Sequence, residues 1–371
     1  MSLATILAKI IEIENETVVG ANTKERVGLA LRGFLPALSF EVKELFNDDG
    51  AGIAIGIGKS ITFPENITSV ANNAFENKAL TEVITNEGLL TIGEYAFSYN
   101  QISTLTLNEG LLTISEYAFD SNAITSLITP STVTSIGSNA FSNNQISTLT
   151  LNEGLLTIGI DAFAYNLLTS LTIPSTITEI NGFAGNLFTA LILPSTLTNV
   201  GASAFYLSSL LTSLTLNEGL LTIGANAFDS SAITILITPS TVTSIGSYAF
   251  SNNQISTLTL NEGLLTISEY AFDSNAITSL TIPSTITSIG NNAFSNNQIS
   301  TLTLIEGLST IDAQTFLSNQ LTSLTIPSTV TSIGSYAFYD NLFTAVTLPG
   351  GCTYTANSFD AGVTVTGGVL V

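Results

Sequence analysis

The chain has 371 residues, 45% apolar and 9% charged, with 7 Lys+Arg against 28 Asp+Glu and a net charge of -21. It holds no His and one Cys, which excludes Ser-His-Asp and Cys-His mechanisms, a His-bearing metal site, an internal disulfide framework and a zinc knuckle. The acidic balance argues against nucleic-acid phosphates as a partner, and every apolar run is far shorter than the roughly 18 residues of a membrane span.

Residues 1–58 do not repeat. Leu3, Ile6, Leu7, Ile10 and Ile11 recur at helical spacing and predict a short amphipathic helix. Asn22-Thr23 ahead of Lys24-Glu25-Arg26 is a helix-start signal, and that helix would stop at Pro36. Phe40–Phe46 fits either periodicity. Asn47-Asp48-Asp49-Gly50 and the Gly-rich stretch to Gly58 read as a linker. Lys9, Glu12 and Glu14 interrupt the first apolar run, so it does not read as a secretory signal. All seven basic residues lie at or before Lys78. The string Ala21-Asn22-Thr23-Lys24-Glu25-Arg26-Val27-Gly28, with Leu29 and Leu31 after it, resembles a segment near the N-termini of tail-associated proteins in phages of Bacteroidetes-type hosts. That resemblance implies a segment that attaches to other virion tail proteins through residues such as Asn22, Arg26, Val27 and Leu31. The bland alternative is a capped helix that helps close the array.

The remainder is self-similar. Phenylalanines fall at 75, 97, 119, 141, 163, 183, 205, 228, 250, 272, 294, 316, 338 and 359, most of them 22 apart, which makes fourteen coils. In the unit Ile277–Gln298, Leu280-Thr281-Ile282 alternates as a short strand does, Pro283 turns the chain, Ile286 and Ile289 point inward, and Ala293-Phe294 closes the coil. A lone coil leaves both flanks of its apolar residues bare, so coils must stack into a parallel solenoid. Two versions mix: one carries Pro-Ser-Thr after the first strand, the other Asn-Glu-Gly. Residues 79–371 hold 18 acidic residues and no basic one, so this part forms no internal salt bridge. Asn recurs three residues after most of the phenylalanines, as at 100, 122, 144 and 297, and reads as an internal ladder in which copies bond to each other and to the turns. Cys352 fills the slot of Val330 and reads as buried and apolar.

The LTSLTIP segment, the TSIG that follows and the Ala-Phe closure resemble the BspA-like leucine-rich repeat family over about residues 60–360. The resemblance implies a leucine-rich-repeat solenoid and a place among bacterial and phage-borne surface and adhesion modules. Two coils depart from it. The coil closing at Phe183 lacks two residues, and Tyr206–Leu211 gains one, which predicts a bend near 180–211.

Recurring Glu87, Glu109, Glu153, Glu218, Glu262 and Glu306 occupy one slot in each unit, unlike a catalytic pair, and read as solvated turn charge. Tyr95, Tyr117, Tyr248, Tyr270 and Tyr336 precede their phenylalanines by two and read as half-buried on an outer wall. Val363–Val371 reads as a final strand covering the last coil.

The ligand face is expected on the regular strands, where outward hydroxyls form a carpet: Thr104 and Thr106, Thr148 and Thr150, Ser170 and Thr172, Ser213 and Thr215, Thr257 and Thr259, Ser279 and Thr281, Thr301 and Thr303, Ser323 and Thr325. Ile84, Ile128 and Ile237, with Ile235, fall on that outward register and read as apolar anchors, unless a one-residue shift buries them. The expected protein is therefore an attachment segment at 1–58 and a solenoid with a C-terminal cap at 59–371. It is expected to be non-catalytic, with no cofactor and no metal. The expected function is a phage tail-associated, virion-borne protein that binds a host cell-surface receptor or glycan, without membrane insertion; a homo-oligomer is left open. The alternative is a BspA-type adhesin on the bacterial surface.

Overall fold

The computed structural model describes residues 55–57, 60–63 and 65–371. The helices expected before residue 36, and Asn22, Arg26, Val27 and Leu31, lie outside the described residues. Among the described residues every regular element is a strand. The stretch read as a linker contains one: Ile55–Ile57 pairs antiparallel with Ser60–Thr62, so a hairpin closes the first edge of the sheet.

Most coils offer two short strands. The first is typified by Ser126–Ile128, in which Leu127 is buried and its neighbours are exposed. The second is typified by Ser135–Ile136, with Ile136 inward. Like strands of successive coils pair in parallel with 22-residue register, as in Ser126↔Thr148 and Ser135↔Thr157. Between the two rows lies the core. The closing phenylalanines stack from Phe75 to Phe359 with ring centroids 5.1 to 6.0 Å apart. The Ala that precedes most of them is buried beside each ring. The planes tilt most, by 15° and 16°, on either side of Phe183, where the sequence lacks two residues.

The turn around most of the phenylalanines is left-handed on both sides. Tyr117 and Ser121, two before and two after Phe119, have φ of 54° and 55°. Such residues cost roughly 1–2 kcal/mol each. The next coil stabilises them: Tyr117 N–H donates to the Ser138 carbonyl, Phe119 N–H to Ala140 and Ser121 N–H to Ser142. The asparagines lock this turn, although they do not bond to one another. Asn144 Oδ1 accepts from Ile124 N–H, and its Nδ2 donates to the carbonyls of Phe119 and Phe141. A carboxamide spans two backbones this way, which leaves no capacity for an Asn–Asn chain.

The two rows differ in continuity. The second row forms one five-stranded and one ten-stranded ladder, separated between Thr157–Ile158 and Glu179–Ile180. Beyond Thr104–Thr106 the first row is bonded only two by two. Proline explains where. Thr129 N–H donates to Thr150 in the following coil. Successive residues of a parallel strand turn their backbone groups to opposite sides, so the nitrogen of Pro130 faces the preceding coil and has no proton to give. Pro174, Pro194, Pro239, Pro283, Pro327 and Pro349 repeat the arrangement. Pairing is absent ahead of each of these seven coils and present ahead of the first-row strands of coils without proline. The coils of Phe183 and Phe338 carry proline and are followed by proline, so both sides fail and neither forms a first-row strand.

At the C-terminus, two strands stand where one was expected. Thr364–Thr366 and Val369–Leu370 extend both rows by a rung, leaving Val369, Leu370 and Val371 exposed.

Candidate strand-face binding site

The apolar residue at the centre of each first-row strand, most often Leu, faces the core, which turns its neighbours outward. Thr104, Thr106, Thr148, Thr150, Thr257, Thr259, Ser279 and Thr281 are all exposed. Ser170 and Thr172 are exposed too, but they are not on a strand, because the two prolines flanking that coil remove its ladder. The same holds for Ser323 and Thr325. These side chains form a hydroxyl surface with no positive charge.

Apolar side chains interrupt it without any register shift. Leu236 is buried and pairs with Leu258, while Ile235 and Ile237 on either side are 54% and 62% exposed. Ile128 is 70% exposed. Ile84 shares the outward register but is half-buried. Sequence reasoning missed Ile192, which is 71% exposed between buried Leu191 and Leu193. The run Ala190–Pro194 reads as uniformly apolar, so alternation carried no signal there.

At one proline-directed interruption the face opens. Between Thr257–Thr259 and Ser279–Thr281 lies a cleft of about 190 Å³, lined by residues including Leu258, Leu260, Thr281, Glu262 and Pro283. Its turn end is stapled shut. Glu262 accepts hydrogen bonds from the N–H and hydroxyl of Ser284, at 3.1 and 2.9 Å. Glu109, Glu153, Glu218 and Glu306 do the same for Ser131, Ser175, Ser240 and Ser328. These glutamates are therefore braces between coils rather than free turn charge. Hydrogen bonds from serine N–H and hydroxyl groups hold the carboxyls of Glu109, Glu153, Glu218 and Glu306 below the usual carboxylate range. The sequence does carry the signal: each brace joins a Glu-Gly turn, Asn-Glu-Gly in four of them and Ile305-Glu306-Gly307 in the last, to the Pro-Ser-Thr of the next coil.

Elsewhere, Tyr95 and Tyr117 stack at 4.6 Å, as do Tyr248 and Tyr270, all four half-buried, whereas Tyr336 is exposed. Cys352 is buried, and burial pushes its thiol up. Among the described residues, no group of three or more His, Cys, Asp and Glu is placed to hold a metal ion.

No curated protein matches the chain. Among solved structures, a leucine-rich repeat protein from Bacteroides ovatus is 18% identical, with a TM-score of 0.66, over 90% of this chain and 100% of its own. One from Eubacterium ventriosum is 20% identical, with a TM-score of 0.51, over 77% of this chain and 83% of its own. Both share the fold. The sequence pattern described as "BspA type Leucine rich repeat region" matches residues 58–167, 181–299 and 266–361 in 6 copies. With its coils, its phenylalanine stack and that match over most of its length, the chain belongs to the BspA type leucine-rich repeat family.

Proposed function

We propose that this protein is a non-catalytic recognition protein of the bacterial surface-adhesin kind, which binds a polar cell-surface receptor or glycan on its first-row strand face. The observation that carries this reading is exposed isoleucine on a hydroxyl face. Ile128, Ile192, Ile235 and Ile237 are outward where the fold needs only Ser or Thr, and apolar groups without a folding role mark contact surfaces. The surface and adhesion role implied by the family agrees with that face. Phage-tail attachment through Asn22, Arg26, Val27 and Leu31 is a separate reading, and the family match begins only at residue 58.

The test uses the labelled full chain on intact bacterial and animal cells. Ile235→Ser with Ile237→Ser should weaken retention without lowering the melting temperature. Lower stability with unchanged retention would make these isoleucines structural and overturn the reading. Incorporation of the full chain, but not of a chain lacking residues 1–58, into a phage particle would favour the tail reading instead.

A further inference from the structure

The interruptions in the first row are more than missing hydrogen bonds. Thr238 N–H donates to the Thr259 carbonyl, and Ile282 N–H donates to Thr303. Those bonds fix which way each residue faces. Thr257 and Thr259 turn their backbone groups toward the preceding coil, so Leu258 and Leu260 turn theirs into the cleft. From the far side, Thr281 does the same. Pro283 adds an apolar ring and no donor. The cleft thus presents backbone donors and acceptors, an apolar floor and hydroxyls at its rim. At about 190 Å³ it is smaller than the roughly 300–1,000 Å³ of a pocket that engulfs a whole ligand. It has room for about six waters at ~30 Å³ each.

A Glu-Gly coil followed by a Pro-Ser-Thr coil occurs ahead of Pro130, Pro174, Pro239, Pro283 and Pro327, with Asn before the Glu in all but the last, where Ile305 stands. Within the series Pro130–Pro174 and Pro239–Pro283–Pro327, the junctions are two coils apart. At a strand spacing of about 4.8 Å, they repeat every ~9.6 Å along the face. A periodic ligand of matching repeat would meet the same chemistry at each step. The array's own charge selects its kind: 18 acidic residues with no basic one in residues 79–371 repel polyanions.

Resting on the strand-face reading above, we propose that these junctions are subsites for a linear, uncharged polysaccharide lying along the long axis of the array, with one sugar seated at each opening. Sugar hydroxyls satisfy the outward backbone groups and the Thr rim, and the sugar's apolar face rests on Leu258, Leu260 and Pro283. Ile237, beside the junction ahead of Pro239, extends the apolar contact.

The experiment titrates the full chain calorimetrically with linear neutral gluco- and manno-oligosaccharides of increasing length. Affinity should rise by about a hundredfold once an oligosaccharide reaches from one junction to the next, because the second contact becomes intramolecular. Thr281→Tyr, which places a ring over the cleft, should lower affinity about tenfold. Thr266→Tyr, equally exposed on the continuous second row, should leave it unchanged. Affinity independent of length, equal effects of the two substitutions, or binding of a proline-rich peptide in place of sugars would overturn the proposal. If no oligosaccharide binds while Ile235→Ser with Ile237→Ser still weakens cell retention, the subsites fail and the recognition face stands. If that pair is also without effect, both fail.

Discussion

Ser231 occupies a position that Asn fills in ten other coils, and its hydroxyl is buried without a partner. Its surroundings, Asp229-Ser230-Ser231-Ala232, repeat Asp120-Ser121-Asn122-Ala123 at every other residue. Asn122 shows what is missing: Nδ2 donates to the carbonyls of Phe97 and Phe119 at 2.9 and 3.1 Å, and Oδ1 accepts from Ile102 N–H. In the Ser231 coil the corresponding amide, Leu211 N–H, already donates to the Ser208 carbonyl at 2.8 Å. Ser231→Asn therefore gains only the two donor bonds, about 2 kcal/mol at ~1 each. Removing an orphaned hydroxyl adds about 1 kcal/mol, and ordering the amide costs about 1. With Leu211 N–H already engaged, the new Oδ1 is buried without a donor and costs about 1 kcal/mol, so the net is about 1 kcal/mol. Local opening reports this better than a single melting point, because a long repeat array need not unfold in one step. Amide exchange should slow roughly fivefold around Phe205 and Phe228, at tenfold per ~1.4 kcal/mol. Ser231→Ala should be neutral or slightly stabilising. Unchanged exchange in Ser231→Asn, or a loss above about 1 kcal/mol in Ser231→Ala, would show that the serine hydroxyl is already satisfied and refute the reasoning.

Three further outcomes are expected. The braced carboxyls titrate below their unfolded value, so their stabilisation is complete above the unfolded carboxylate pKa and is lost as pH falls through the folded one; replacing Glu109, Glu153, Glu218 and Glu306 with Gln should flatten the acid limb of the stability–pH curve. An unchanged acid limb would remove the braces from the account. Phe141→Ala empties a slot between rings 5.2 and 5.5 Å away and should cost about 3–5 kcal/mol by denaturant unfolding, with a cost under about 1 refuting the continuous stack. Pro283→Ala supplies the missing donor toward Thr257–Thr259, so exchange at the Thr281 amide should slow; faster or equal exchange would mean that something other than proline holds the strands apart.

The repeat made most of the fold legible. Phe141, Ala140 and Asn144 recur at one spacing, and a residue that appears in the same slot of each coil has one environment. The Asn pattern predicted burial but not bonding mode, because a carboxamide satisfies either a side-chain chain or two backbones. Pro130 and Pro283 were visible only as turn residues. Their effect depends on which side of the strand the nitrogen faces, and that parity emerges only once Thr129 and Ile282 are seen donating to the following coil. Ile235 and Ile237 were readable because Leu236 between them kept the alternation. Ile192 was not, since Leu191 and Leu193 hid it in an apolar run.

The unequal rows also decide how the array carries force. Hydrogen bonds of the second row lie along the long axis, so that row acts as an inextensible spine, while the first row has no ladder bond to break at each proline and is restrained at five of them by the glutamate braces. Tension along the axis loads the spine, and bending away from the strand face is cheap. One place lacks both supports: ahead of the coil of Phe183, Pro174 interrupts the first row and the second row breaks between Thr157–Ile158 and Glu179–Ile180. There the coils are held by the Phe163–Phe183 contact, by Phe163 N–H on the Gly182 carbonyl, by Asn186 and by the Glu153 brace on Ser175. A pulled molecule should yield first at that seam and part into two segments, each keeping its own spine intact.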